Sequence, residues 1–114
     1  MPGTPFSARR HEQDGDTVLA FQGDINRAAQ KGLDEAYQEV KGGSGRLLLD
    51  FGEVDFINST GIALIVGILA DARTTGRPIA AFGLSDHYQE IFSITRLSDF
   101  MTIYEDEDAA LASH

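Results

Sequence analysis

Residues 47–70 read LLLDFGEVDFINSTGIALIVGILA. Leu47-Leu48-Leu49 leading into Asp50-Phe51 is a short, continuous apolar run, the pattern of a strand covered on both faces and placed at the centre of a sheet. Gly52-Glu53-Val54-Asp55-Phe56-Ile57 follows. Asn58-Ser59-Thr60-Gly61 then opens an apolar helix that ends near Gly76, and Pro78 marks the stop. Towards the N-terminus, residues 6–12 and 17–22 flank Asp14-Gly15, a dipeptide that readily takes the positive φ angles of a tight hairpin, so they predict an antiparallel opening pair. From Asn26, apolar residues at Ala29, Leu33, Ala36, Tyr37 and Val40 have helical spacing, and Gly42-Gly43-Ser44-Gly45 stops that helix. On the other side, residues 79–82 read as a strand. Ser85 can cap a third helix that buries Tyr88, Ile91, Phe92 and Thr95. Residues 101–104 are a last short strand, and residues 105–112 a final helix whose Glu105-Asp106-Glu107-Asp108 suits a helix N-terminus. The order ββαβαβαβα predicts an α/β domain, a mixed sheet of about five strands with about four helices packed on it.

Composition narrows the function. The chain has 114 residues, no cysteine, and 9 Lys+Arg against 18 Asp+Glu, a net charge of −9. One domain over residues 6–114, after a loose segment at residues 1–5, is expected at this length. Without cysteine there are no Cys₄ zinc sites, iron–sulfur clusters, thiol nucleophiles or disulfides. Such acidity repels phosphate backbones and anionic membranes, so neither nucleic-acid binding nor membrane insertion is expected. The opening MPGTPFSARRHEQDG lacks a signal-peptide pattern, and the nearly apolar stretch 61–70 is half a membrane span. The expectation is a cytoplasmic protein with no cofactor.

The hydroxyl cluster Ser59-Thr60 sits where the central strand hands over to a helix. In open α/β sheets, sites gather beyond the carboxyl ends of strands, and a helix N-terminus offers unpaired N–H groups and partial positive charge. Asn, Ser and Thr are equally the ordinary N-caps of helices, so a cap and a modifiable hydroxyl both fit. Ile62, Leu64, Ile65, Ile68 and Leu69 supply a core stripe, while Thr60, Ala63, Gly67, Ala70 and Thr74 form a face of small, uncharged residues. Such a face marks either close packing on a neighbouring helix, the expectation from the stripe alone, or a flat landing surface for another protein.

Phe56-Ile57-Asn58-Ser59-Thr60-Gly61-Ile62 before an apolar helix resembles the D-S-[ST]-G-L signature of bacterial anti-sigma factor antagonists, which are single STAS domains. Gly23-Asp24-Ile25-Asn26 is similar to that family's G-E-L-D, and Ile91-Phe92-Ser93-Ile94-Thr95-Arg96-Leu97 with Phe100 and Ile103-Tyr104 resembles its carboxyl-terminal pattern. The resemblance implies phosphorylation of Ser59, with Thr60 as the second hydroxyl, by an anti-sigma factor that is also a serine kinase of the histidine-kinase-like ATPase fold. It further implies a PP2C-like phosphatase, and a partner-binding surface that draws on Asp24, Asn26, Glu53, Asp55, Asn58, Ser59, Thr60, Gly61, Ala63 and Gly67. Three positions depart from the family: Asn58 replaces the signature aspartate, Asn26 the acid of G-E-L-D, and Arg96 a common glycine. The same family includes scaffold subunits of stress-sensing assemblies and accessory subunits of lipid transporters, in which this hydroxyl need not be phosphorylated.

Enzymatic alternatives lack their parts. Asp50 at a strand end suggests a phosphoacceptor, but that chemistry needs a later lysine, and Lys31 and Lys41 both precede it. Asp50 therefore reads as a hydrogen-bonding residue at a strand end. No G-x-S-x-G surrounds Ser59, and His11, His87 and His114 lack metal-ligand spacing. Gly42-Gly43-Ser44-Gly45-Arg46 lacks the ending of a phosphate loop and reads as a connector. No intrinsic catalysis is expected.

Overall fold

The computed structural model describes residues 3–113; Met1, Pro2 and His114 lie outside the described residues. Five strands form one mixed sheet in the order β1-β2-β3-β4-β5, with β1 (Ser7–Gln13), β2 (Asp16–Ile25), β3 (Leu47–Ile57), β4 (Ile79–Phe82) and β5 (Thr102–Tyr104). β1 pairs antiparallel with β2, and the other pairs are parallel. Asp14 and Gly15 turn the hairpin with φ of 54° and 88°, the positive values a two-residue turn needs to match strand twist. β3 is the middle strand, as its leucine run predicts, and Leu47, Leu48 and Leu49 are all fully buried.

The helices are α1 (Gln30–Val40), α2 (Ser59–Thr75), α3 (Asp86–Ile94) and α4 (Glu107–Ala112). The main core lies on one face of the sheet, where Leu33 and Tyr37 of α1, Ile65 and Leu69 of α2 and Phe92 of α3 pack on Leu19, Leu49 and Phe51. Each such side chain, fully buried, contributes about 1.5–3 kcal/mol. A file of rings crosses this core: Phe6 to Phe21 at 5.8 Å, Phe21 to Phe51 at 5.4 Å, and Phe51 to Phe92 at 5.7 Å. The other face is covered by α4, whose Ala110 packs with Val18, Leu48, Ala80 and Phe82. Asp106 caps α4 by accepting from the Ala109 N–H, and Glu107 and Asp108 follow in its first turn, so the acidic run serves the helix N-terminus. Among the described residues no helix is long and apolar enough to cross a membrane.

Several local expectations need correction. Asn26 does not cap the first helix with its side chain; it precedes a 3-10 turn, Arg27–Ala29, whose Ala29 N–H donates to the Asn26 backbone oxygen, and α1 proper begins at Gln30. Thr95 ends α3 as an exposed C-cap instead of joining its buried face. β3 does not end near Asp50. It continues for 11 residues, so Asp50 lies within the strand. Thr4, in the segment expected to be loose, accepts a hydrogen bond of 3.0 Å from the Asp24 N–H. The connector after α1 is held by Arg77, which donates to the backbone oxygens of Val40, Ser44 and Gly45. Tyr37 of α1 donates to Asp71 of α2 at 2.7 Å. Burial and that carboxylate push the Tyr37 phenol up to about 12, and the same hydrogen bond, with the charge of Lys41, lowers the Asp71 carboxyl.

Arg96 follows α3 at φ 67°, the left-handed region that costs a non-glycine residue about 1–2 kcal/mol. Its side chain is largely exposed, and its pair with Asp99, 2.8 Å away, is a surface contact of small worth. Arg96→Gly is expected to stabilise the domain by about 0.5–1 kcal/mol and to raise the thermal midpoint by several degrees. A lower midpoint in a melting experiment contradicts this account of the backbone.

Candidate functional site

The sequence-predicted site residues gather at the carboxyl ends of β2 and β3 and along the outer face of α2. β2 and β3 run parallel there, with Asp24 opposite Phe56 and Ile25 opposite Ile57. The ladder shifts register twice. Between Ala20–Asp50 and Gln22–Glu53, and again between Gly23–Val54 and Asp24–Phe56, β3 carries one residue more than β2. These bulges re-aim side chains, so Glu53, Asp55 and Phe56 turn to solvent while Ile57 returns to the core. Asp50 secures the first bulge by accepting from the Gly52 N–H at 2.8 Å.

The turn into α2 is tied on three sides. The Asn58 N–H donates to the Ile25 oxygen at 3.3 Å. The Tyr88 hydroxyl of α3 accepts from the Ile57 N–H at 2.9 Å. Asn58 is the N-cap, and its Oδ1 accepts from the Gly61 N–H at 2.9 Å, an interaction worth about 1 kcal/mol. That bond gives the capping role to the residue before Ser59. Ser59 and Thr60 are the first two residues of α2, both exposed, and neither hydroxyl has a hydrogen-bond partner among the described residues.

Gly61 departs from its expected role in contacting a partner, because it is buried. A Cβ there would stand 2.0 Å from the Ile25 oxygen, so this glycine lets α2 start hard against the end of β2. The small face of α2 departs in the opposite sense. Thr60, Ala63, Gly67, Ala70 and Thr74 are all exposed, and a Cβ on Gly67 would meet nothing within 4 Å. Internal packing is thereby corrected to a solvent face. The helix already spends its opposite side, Ile65, Ile68, Leu69 and Ala72, on the sheet, and α1 flanks it across an open cleft lined by Asp34, Tyr37 and Gln38 on one side and Ala63, Leu64 and Gly67 on the other, with Tyr37 donating to Asp71.

The model of a family described as Mlab, STAS domain, matches residues 8–103. The chain belongs to the STAS domain family. The anti-sigma-B factor antagonist of Listeria monocytogenes is 33% identical to this STAS domain over 94 residues, covering 81% of this chain and 82% of that protein. An anti-sigma-factor antagonist (STAS) domain protein from Planctomyces limnophilus superposes with a TM-score of 0.79 at 18% identity, over 94% of this chain and 96% of the other. A sulfate transporter family protein from Wolinella succinogenes superposes at 0.76 with 16% identity, over 88% and 84%. The two structures share the fold, and the fold alone does not separate their roles.

Two residues beside this candidate site of the STAS domain were not singled out from the sequence. Phe56, 49% exposed, sits just before the capped turn, but an apolar residue in a strand reads as core until the bulges are known. Tyr88 reads as a core residue of α3, and only its 2.9 Å contact reveals that it also positions the turn. Among the described residues no group of His, Asp or Glu could hold a metal ion. The rim is acidic: Glu53 and Asp55 are exposed and Asp24 half-buried, and no Lys or Arg occurs between Arg46 and Arg73.

Proposed function

We propose that this STAS domain, over residues 6–114, is a cytoplasmic anti-sigma factor antagonist without catalysis of its own. It binds an anti-sigma factor that is also a serine kinase of the histidine-kinase-like ATPase fold, and thereby frees a sigma factor. Phosphorylation of Ser59 ends the grip, and a PP2C-like phosphatase restores it. The observation that carries this proposal is the division of labour at the start of α2: Asn58 takes the capping bond, which leaves the Ser59 hydroxyl exposed and unengaged. Asp24, Asn26, Glu53, Asp55, Asn58, Thr60, Ala63 and Gly67 surround it as contact surface, and Gly61 serves by its close packing. A phosphate would add a charge of about −1.5 to −2 to a rim that already carries Glu53 and Asp55. At a helix N-terminus the domain itself tolerates that charge, so the switch acts on the interface and leaves the fold intact.

Mass spectrometry after incubation with the cognate kinase and ATP tests the assignment. One phosphate on Ser59 is expected, absent from Ser59→Ala. Phosphate on Thr60 alone, or none, overturns it. A role as a scaffold or transporter accessory subunit is favoured by Asn58 in place of the signature acid. In that role Ser59 stays unmodified in the same experiment.

A further inference from the structure

The turn into α2 uses all but one of the polar groups of Asn58. Its N–H donates to the Ile25 oxygen, its backbone oxygen accepts from the Ile62 N–H at 2.9 Å, and its Oδ1 accepts from the Gly61 N–H. An amide nitrogen cannot accept from an N–H, so the capping bond fixes which branch of the side chain carries Nδ2. That Nδ2 has no partner among the described residues. It reaches the surface, because Asn58 is half-buried and no buried side-chain nitrogen or oxygen among the described residues lacks a partner. The chain therefore presents a free N–H donor beside Ser59 and two residues after the exposed Phe56, on a rim whose charged side chains, Glu53, Asp55 and Asp24, are all acidic.

We infer that the Asn58 amide donates to a carboxylate of the anti-sigma factor kinase, which makes Asn58 a specificity residue for that partner. The inference rests on the antagonist function proposed above and names the chemistry opposite its switch. A phosphate on Ser59 ends binding by repulsion only where the partner holds negative charge close by. A carboxylate placed there already faces Glu53 and Asp55 across the interface, and no Lys or Arg occurs in the chain between Arg46 and Arg73 to offset them. The donor beside Ser59 that is free to hold such a carboxylate is Asn58 Nδ2. A partner that covers Phe56 excludes water from the same spot, and a hydrogen bond to a charged group is stronger where water is excluded. An aspartate at this position would accept the same capping bond and turn its other oxygen on the carboxylate. The amide therefore also discriminates, since a kinase that suits Asn58 is repelled by the acid.

Calorimetric titration of the full chain with the purified cognate kinase tests this, with Asn58→Ser and Asn58→Asp beside wild type and Ser59→Asp. Serine and aspartate both cap a helix, so both variants are expected to keep a melting midpoint within a few degrees of wild type. Asn58→Ser withdraws the amide donor without adding charge and is expected to weaken binding about tenfold. Asn58→Asp is expected to weaken it about 30-fold or more, with the excess over Asn58→Ser shrinking as salt rises. Wild-type affinity in both variants, with binding still lost in Ser59→Asp, overturns the contact and leaves the antagonist function standing. Equal losses in the two variants point to an uncharged acceptor and overturn the carboxylate. Tighter binding of Asn58→Asp, which requires a cation opposite, overturns it as well. A loss of binding that tracks a fall in melting midpoint assigns Asn58 to the cap alone and overturns the inference. Failure of the unmodified wild type to bind the kinase overturns both this contact and the antagonist function.

Discussion

Asp16→Ala is expected to destabilise the domain by about 3–5 kcal/mol, a large share of the roughly 5–15 kcal/mol that holds a domain of this size together. Asp16 opens β2 and is buried. Its Oδ1 accepts from the Arg46 N–H at 2.8 Å, and its Oδ2 from Arg46 Nε at 3.2 Å and Nη2 at 3.0 Å. The Arg46 Nη2 also donates to the Ala110 oxygen at 3.0 Å, so one pair ties β2, the entry to β3 and α4. Truncating the acid leaves a guanidinium in a poorly solvated position without its counter-charge, which is why the loss exceeds that of a surface pair. Asp16→Asn keeps an acceptor for the Arg46 N–H and is expected to lose less. Urea unfolding measures both; a loss below about 1 kcal/mol for Asp16→Ala contradicts this account.

The second large effect is on binding. Ser59→Asp is expected to weaken association with the cognate kinase by about 100-fold or more, since apposed like charges cost several kcal/mol and each 1.4 kcal/mol is tenfold. Thermal unfolding should stay within a few degrees of wild type, or rise slightly, because an acid in the first turn of a helix is favourable by about 0.3–1 kcal/mol. The exposed Ser59 hydroxyl gives up no hydrogen bond in the change. Affinity measured at rising salt should show the gap between variant and wild type narrowing, as screening weakens the like-charge contact across the interface. Unchanged binding, or a collapse in stability, would sink the switch at this residue.

The elements that could be read from the chain are those where one local cause decides. Asp14-Gly15 turns because few other residues tolerate two positive φ values in succession. Leu47-Leu48-Leu49 lies in the middle strand because only a strand covered on both faces tolerates apolar residues at every position. Gly76 closes α2 at φ 74°, and Ser85 and Asp106 cap the helices that follow them. The locations of Ser59, Thr60, Glu53 and Asp55 at one rim followed from that order of elements.

Other features depend on what distant residues do. The small-residue face of α2 suits burial and exposure equally well, and only the absence of a layer outside α2 among the described residues decides for exposure. Gly61 looks like part of a recognition motif, yet the Ile25 oxygen 2.0 Å from its missing Cβ makes it a packing residue. The bulges of β3 and the left-handed Arg96 are local distortions with no local signature, set by how β2, α3 and the last strand fit together. Asp16 and Arg46 stand 30 residues apart, and nothing near either announces the other. By itself, then, the sequence determined the α/β order, the central strand and the hydroxyl at the start of α2, because periodicity, turn chemistry and capping act over a few residues. The tertiary structure decided which face of α2 meets water, because burial is a property of contacts between segments.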